Sequence, residues 1–348
     1  MKTQNLIVGQ GLAGTLLYHH LTKRGARCMI IDDDHATCAS AVAAGFVNPI
    51  SGRRLILSDD FEKYYAEAEA TYREMERTLR EHLFEPKDIV RFYDSFTEQK
   101  NWSERKDRIK SAPYVKSFQP AGLYRRWFHD PYGSLVIKGH ICHLHRLLSS
   151  FREQTGPDHI VPGAFDAARL EVTADGVAYR GIQAKRVIFC EGFRVTQNHY
   201  FAKLPWKHAK GEILLLEHEG PPLPDKIFNF GKWAYRASDK TVRLGTTFYW
   251  RTIDTEPSEE ARREILARAE TRIVFPYTIK QQYAGVRPVL LDLNPVAGLH
   301  PRHPRVGILN GFGAKGVLRG PHAARQLAEY LTEGRPIDRS INISRFNI

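Results

Sequence analysis

The amino-acid sequence predicts an α/β (α+β) protein with two domains, one of them Rossmann-like and the other rich in β-strands. Three observations lead to this prediction. At 348 residues the chain has room for two hydrophobic cores, since one domain takes about 150 residues. The chain opens as strand, glycine turn, helix and strand, and a series of strand-like segments fills its middle.

The opening segment predicts one βαβ unit of a parallel sheet. NLIVGQGLAG (residues 5–14) gives a short apolar strand and then a glycine-rich turn. The helix that follows stops at Gly25, and RCMIIDDD (27–34) reads as a second buried strand.

Two further helices are predicted from apolar periodicity. In SDDFEKYYAEAEATYREMERTLREHL (58–83), apolar and aromatic residues recur at steps of three and four, and Ser58 is the expected N-cap. The second predicted helix is GHICHLHRLLSSF (139–151).

The remaining segments alternate between strands and two last helices. Strands are predicted at DHIVPGAF, RLEVTADGVAYRG, AKRVIFCEG, GEILLLE, KWAYRA, TVRLGTTFYW, QQYAGVRPV and RVGILNGFG, and helices at 257–273 and 315–333. Glycine-rich, nucleotide-binding features lie at both ends of the chain, which predicts a discontinuous domain interrupted by a second one. We assign residues 1–55, 138–200 and 280–348 to the nucleotide-binding domain, and 56–137 and 201–279 to the other.

Charge and composition are those of a globular protein with a basic surface. The net charge is +12, from 51 basic and 39 acidic residues, without a dense basic run. No apolar stretch approaches the roughly 20 residues of a membrane span, and no cysteine pair has CxxC spacing. We therefore expect a cytoplasmic protein without a membrane partner. The oligomeric state is left open.

The motif GxGxxG occupies residues 9–14 and predicts a dinucleotide site. Gly9 makes the tight turn, Gly11 lets the backbone approach a diphosphate, and Gly14 lets the helix pack on the strand. Leu12 and Ala13 begin the helix, whose amino end favours phosphate. Asp32 ends the next strand, where an acidic residue holds a ribose hydroxyl.

Four later segments, in order, resemble the D-amino-acid oxidase family, a group of FAD enzymes that includes glycine oxidase and sarcosine oxidase. They are CASAVAAGFVNPISGRR (38–54), VIFCEG (187–192), YAGVRPVLLDLNPVAG (283–298) and GILNGFGAKGVLRGPHAARQLAEYL (307–331). The resemblance implies an FAD-binding Rossmann-like domain and a second, substrate domain built on a large mixed β-sheet. It places these further residues at FAD: Ser40, Ala44, Gly45, Phe46, Cys190, Glu191, Gly192, Gly311, Gly313, Ala314, Lys315, Gly316 and Val317.

The resemblance also implies four residues of the reaction site. Arg287 matches the arginine that grips a substrate carboxylate, and Lys315 begins the helix that stabilises negative charge on the reduced flavin. Trp233 stands where several relatives have a substrate-binding tyrosine, and this departure favours a bulkier substrate. Arg53 follows the flavin-proximal NPISG segment.

The implied activity is oxidation of the C–N bond of a small amine or amino acid, with hydride passing to flavin N5 and hydrolysis of the imine. Two alternatives remain open. One is a tRNA-modifying FAD enzyme that acts on carboxymethylaminomethyl-uridine, for which the basic charge provides modest support. The other is a flavin-binding protein without catalysis. HICHLH (140–145) fits no standard zinc spacing, and no metal is expected.

Overall fold

The structure is a computed structural model that describes residues 1–35, 38–51, 56–58, 60–105 and 112–348. Its strands are β1 (Lys2–Val8), β2 (Cys28–Asp32), β3 (Phe46–Val47), β4 (Ile50–Ser51), β5 (Ile56–Leu57), β6 (Phe84–Pro86), β7 (Ile89–Phe92), β8 (Val115–Gln119), β9 (Ser134–Ile137), β10 (His140–Cys142), β11 (Ile160–Pro162), β12 (Glu171–Val172), β13 (Val177–Tyr179), β14 (Ile182–Phe189), β15 (Ala209–Glu217), β16 (Ile227–Asn229), β17 (Trp233–Ser238), β18 (Thr241–Gly245), β19 (Thr278–Arg287), β20 (Val296–His300) and β21 (His303–Asn310). Its helices are α1 (Leu12–Lys23), α2 (Ala39–Val42), α3 (Phe61–Leu79), α4 (Phe96–Arg105), α5 (Leu144–Thr155), α6 (Glu259–Glu270) and α7 (Gly316–Glu333).

The first sheet has eight strands and a parallel centre. Its order is β11-β2-β1-β14-β13-β12, with β21 also paired to β14 and β20 paired to β21. The pairs β11–β2, β2–β1, β1–β14 and β14–β21 are parallel, as the βαβ opening predicts. Helices α1 and α7 pack against each other beside this sheet, so the two glycine-rich ends of the chain come together.

The second sheet also has eight strands, in the order β19-β15-β18-β17-β16-β7-β9-β8. It is mixed, because β16 pairs with β7 in parallel while the neighbouring pairs are antiparallel. Smaller sheets join β3, β10 and β6, and β4 and β5. A parallel-centred sheet together with a large mixed sheet confirms the predicted α/β class.

Strand β19 (Thr278–Arg287) spans the predicted domain boundary at residue 280. Strand β19 hydrogen-bonds to β15 along its length and so belongs to the second sheet, although residues 280–348 were assigned to the nucleotide-binding domain. The end of β19 therefore carries Arg287 from the second sheet towards the first.

Two details of the predicted helices are wrong. The helix expected over 139–151 begins at Leu144, since the residues before it form β10, which pairs with both β3 and β6. This pairing of distant segments overrides the local helical pattern. Helix α3 begins at Phe61 with Asp60 as its N-cap, and the Ser58 hydroxyl instead accepts a hydrogen bond from the Lys315 ammonium (3.0 Å).

Candidate active site

A cavity of about 900 Å³ lies between the two sheets. The carboxyl ends of β1, β2 and β14 open into it from the first sheet, which is where ligands bind in parallel sheets of this kind. Most of the predicted site residues line it: Gly9, Gly11, Leu12, Ala13, Asp32, Ser40, Ala44, Gly45, Phe46, Cys190, Glu191, Gly192, Trp233, Arg287, Gly313, Ala314, Gly316 and Val317. The lining does not include Gly14, Gly311 and Lys315.

The first glycine loop leaves main chain exposed to the cavity. Gly9 has φ +97°, and a Cβ there would lie 2.6 Å from the Cys190 carbonyl oxygen. A Cβ on Gly14 would clash with the Gly9 carbonyl, so the helix packs closely on the strand. The N-cap of α1 is Gly11, which has no side chain to cap the helix, and of the first-turn amides Leu12 donates to the Ser40 hydroxyl. These features give an open helix terminus suited to a phosphate group.

Asp32 lies at the end of β2 and is already hydrogen-bonded within the chain. Its Oδ2 accepts from the Gln10 amide (2.7 Å), and its Oδ1 accepts from the His35 amide (3.1 Å). Arg152 forms an ion pair with the same carboxylate. The carboxylate is thus fixed beside the glycine loop, at the cavity wall.

The loop after β14 brings a second carboxyl group to the cavity. Glu191 Oε2 accepts a hydrogen bond from Asn198 Nδ2 (2.8 Å). Burial raises the pKa of the Glu191 carboxyl to about 7, although the Asn198 hydrogen bond and the Arg194 charge act in the opposite direction. The Gly192 carbonyl accepts from Asn310 Nδ2 (2.8 Å), which ties this loop to the last glycine loop.

The last glycine loop approaches the first one from α7. Gly313 has φ +54°, which a residue with a side chain seldom adopts, and it lines the cavity. A Cβ on Gly316 would lie 3.4 Å from Leu12 Cδ2, so the amino ends of α7 and α1 are neighbours. Lys315 is the N-cap of α7, and its role towards a flavin remains a prediction.

The segment around α2 closes a third side of the cavity. The Ser40 hydroxyl accepts a hydrogen bond from the Leu12 amide (3.2 Å) and so joins α2 to α1. The Phe46 ring contacts the Trp233 ring edge-to-face, with centroids 5.1 Å apart. Trp233 thereby lines the cavity as part of an aromatic cluster. Arg53 lies outside the described residues.

Arg287 enters the cavity from the end of β19. Its Nη2 donates to Thr246 Oγ1 (3.1 Å), and its Nη1 donates to the Thr247 carbonyl (3.4 Å). Phe248 stacks on the guanidinium, with the ring centroid 4.1 Å away. The guanidinium occupies the space that a side chain on Gly211 would fill. Among the described residues no carboxylate lies within 4 Å of it, and burial lowers the Arg287 pKa to about 10.

Three residues of this constellation are missing from the sequence-based prediction: Gly211, Thr246 and Phe248. Gly211 is the third residue of β15, and the other two follow β18. They meet Arg287 because β15 lies between β19 and β18 in the sheet. Only the pairing of three distant strands reveals them, and no local motif marks them.

The two facing glycine loops and the cavity between them define a dinucleotide-binding protein with a second, side-chain-rich wall. The chain belongs to the FAD dependent oxidoreductase family, whose sequence model matches residues 5–330. This confirms the resemblance noted in the sequence, and the cofactor of the family is FAD.

Individual relatives are more distant. The glycine oxidase of Pseudomonas aeruginosa is 25% identical over 139 residues, which is 39% of this chain and 38% of that protein. The aligned part thus spans well under half of the curated relative. Iminodiacetate oxidase from Chelativorans sp. BNC1 has a TM-score of 0.75 at 22% identity, covering 96% of both chains. Glycine oxidase from Geobacillus kaustophilus has a TM-score of 0.77 at 18% identity, covering 97% of this chain and 96% of that one. These two structures share the fold.

The residues present fit FAD. The open amino ends of α1 and α7 suit a diphosphate and a negatively charged ring edge. A Cβ on Gly11 would already lie 3.1 Å from Cys38 Sγ, so the narrow passage beside the loop depends on glycine. Within the described part of the chain, no helix is long and apolar enough to cross a membrane, and no cluster of metal-binding side chains occurs.

Proposed function

We propose that this protein oxidises the C–N bond of an amine that carries a carboxylate, such as an amino acid. The single observation that supports this proposal is the Arg287 guanidinium. It is half-buried in the cavity wall, and no carboxylate among the described residues pairs with it. A desolvated cation without a counter-ion is costly, and a substrate carboxylate would supply the missing negative charge through two parallel hydrogen bonds.

The two sheets that line the cavity are assigned to different ligands. We infer that the first sheet and α7 hold FAD, because their main chain faces the cavity at both glycine loops. The second sheet then forms the substrate wall, with Arg287 on β19 and Trp233 on β17. The names of the relatives, glycine oxidase and iminodiacetate oxidase, agree with a substrate that combines an amine and a carboxylate.

The charge distribution around Arg287 favours a neutral amine. The acidic residues that line the cavity are Asp32, Asp33, Asp166 and Glu191, which come from the first-sheet side. No acidic side chain lines the cavity from β15, β17 or β19 in the described chain. An ammonium group would therefore find no counter-ion there, and the free amine is the form that binds.

The protein's part in the reaction is positioning. FAD, when bound, accepts the two electrons released as the C–N bond is oxidised, and water hydrolyses the resulting imine. Arg287 holds the carboxylate, and Phe248 covers the guanidinium and keeps water from its face. Holding the amine in one orientation lowers the entropic cost of the encounter. Because the amine binds in its neutral form, no proton has to leave nitrogen before the oxidation, and no side-chain base is required.

Anaerobic flavin bleaching tests the proposal. Purified protein is mixed with glycine, sarcosine and a panel of D- and L-amino acids, and the flavin absorbance is followed without oxygen. We expect bleaching by at least one carboxylate-bearing amine and none by the matched amide, for example glycinamide. Bleaching that is equally fast with amides would contradict the role of Arg287.

A tRNA substrate is the second candidate, and the net charge of +12 is the observation that favours it. Carboxymethylaminomethyl-uridine also carries a secondary amine and a carboxylate, so Arg287 would keep its role. Contacts to phosphates make the affinity fall steeply with salt. The affinity for tRNA is therefore measured at two salt concentrations, and an absence of binding at low salt removes this candidate.

A further inference from the structure

The strand that carries Arg287 continues past the cavity to the protein surface. Beyond the end of β19, the Lys207 amide donates to the Val289 carbonyl (2.7 Å). Further along, the Leu291 amide donates to the Pro205 carbonyl (3.0 Å). These bonds extend the pairing of β15 with β19 by several residues in the same register. The segment therefore leads directly from the cavity to solvent.

One face of this extension is apolar and increasingly exposed. Because side chains alternate along an extended strand, Arg287, Val289 and Leu291 share one face. Leu290, on the opposite face, is completely buried, whereas Leu291 is 62% exposed. Val289 Cγ2 lies 3.6 Å from the position that a Cβ on Gly313 would take, which keeps this face beside the last glycine loop.

The segment after β18 adds two aromatic rings to the same face. Phe248 is 44% exposed and Trp250 is 57% exposed, while Thr247 is completely buried. The two rings lie 6.4 Å apart, and Phe248 is the ring that stacks on Arg287. The Lys207 ammonium lies 5.9 Å from the centre of the Trp250 ring, so the segment before β15 contacts the ring on one side and pairs with the extension of β19 on the other.

We call Phe248, Trp250, Val289 and Leu291 the rim platform. It begins at the guanidinium that the proposed function assigns to the substrate carboxylate, and it ends in solvent. Large apolar side chains left open next to a cavity indicate a binding surface. Phe248 belongs both to the rim platform and to the cavity wall, so a substituent on the molecule in the cavity can extend onto the platform.

We propose that the substrate carries an extended apolar substituent, such as an aromatic ring on an alkyl chain, which lies on the rim platform. This inference rests on the proposed function, since it takes Arg287 as the carboxylate site. Aromatic faces and aliphatic side chains together suit a flat apolar group. The protein would then select large amino acids or N-substituted amino acids over glycine-sized ones.

Binding of analogues that cannot be oxidised tests the platform without catalysis. We choose thioether acids without an amine: (methylthio)acetate and a series of (ω-phenylalkylthio)acetates whose chains contain one to four carbons. Dissociation constants are measured on the FAD-loaded protein from the perturbation of the flavin spectrum. We expect at least one phenylalkyl acid to bind about tenfold more tightly than the methyl acid.

Trp250→Ala is the decisive variant. In this variant the phenylalkyl acid should bind at most about twofold more tightly than (methylthio)acetate, instead of about tenfold. The affinity for (methylthio)acetate itself should stay the same. Phe96→Ala is the matched control, because Phe96 is an exposed aromatic residue outside the cavity wall, and it should leave both affinities unchanged. Leu291→Ala should also reduce the preference for the phenylalkyl acid, but less than Trp250→Ala does.

Each result decides between the alternatives. Affinity that does not depend on substituent size, or a preference that survives in Trp250→Ala, overturns the platform but leaves the proposed function intact. If Trp250→Ala changes the mass of the assembly in solution and not the preference, the patch is a contact between copies and the inference is wrong. If no acid in the series perturbs the flavin and no amine bleaches it, both proposals fail.

Discussion

The two walls of the cavity are built from different parts of the chain. The wall from the first sheet and α7 presents main chain, at Gly9, Gly11 and Gly313, and two helix termini. The wall from the second sheet presents side chains, chiefly Arg287 and Trp233. Main chain can recognise a constant group such as FAD with little dependence on side-chain identity. Side chains decide which substrate fits, so substitutions in the two walls should have separable effects.

The largest separable effect is expected from Gly11→Val. Its branched side chain would press on Cys38 Sγ and occupy the passage beside the amino end of α1. We expect FAD affinity to fall at least a thousandfold, ~4 kcal/mol, and the purified protein to be colourless. Flavin absorbance per chain measures this, with Gly220→Ala as a control, because a Cβ on Gly220 meets nothing closer than 3.6 Å. A yellow Gly11→Val protein would show that the loop does not contact the cofactor.

Arg287→Met tests the side-chain wall alone. Removing one partner of a buried charge pair costs about 2–5 kcal/mol, so kcat/KM for carboxylate-bearing amines should fall about 30- to 4,000-fold. FAD content should stay at the wild-type level. Arg236→Met, a half-buried arginine of β17 outside the cavity wall, serves as the control. Unchanged kinetics in Arg287→Met would rule out the assigned role.

Glu191→Gln probes a carboxyl group in the first-sheet wall, in the loop after β14. Because the Glu191 pKa is about 7 in the fold against an ordinary 4.5, the folded state binds the proton more tightly than the unfolded chain. Stability from this group is therefore greatest below pH 4.5, and it declines as the pH rises from 4.5 to 7.

The measurement is the free energy of unfolding from pH 4.5 to 8. We expect Glu191→Gln to gain about 1–3 kcal/mol over the wild type across this window, since glutamine cannot ionise. The exposed Glu153→Gln on α5 should show no such trend. Parallel curves for Glu191→Gln and the wild type would mean that the Glu191 pKa is the same in the folded and the unfolded chain.

Phe248→Ala should have the smallest effect of the four. The ring is partly exposed, and a cation–π contact at an exposed site contributes about 0.5–1 kcal/mol. KM for a small carboxylate-bearing amine should rise two- to fivefold, about the factor that this energy gives, with FAD content unchanged. Phe248→Leu keeps an apolar side chain over Arg287, so KM should rise less in this variant than in Phe248→Ala. An equal rise in both variants would show that the aromatic face is not the source of the effect.

The main-chain wall could be predicted from the sequence because its signal is local. The turn at Gly9 and Gly14, the helix that follows and the strand before Asp32 are all consecutive in the chain. The same holds for the last glycine loop and α7. Their coming together at one cavity follows from the parallel sheet rule and needs no knowledge of side-chain contacts.

The side-chain wall could be predicted only in part. Arg287 and Trp233 were found through family resemblance, whereas Phe248 and Gly211 depend on which strands become neighbours in the second sheet. The β10 strand is a similar case, since its residues look helical until β3 and β6 pair with it on both sides. Contacts between strands far apart in sequence leave no periodic pattern that a single sequence can show.

Gly211 owes its identity to a side chain some seventy positions away. Because the guanidinium fills the place of the missing Cβ, any larger residue at 211 would push the arginine out of its seat. The position of the Arg287 side chain therefore depends on glycine at position 211. In related chains a larger residue at this position should therefore occur only where the arginine is absent.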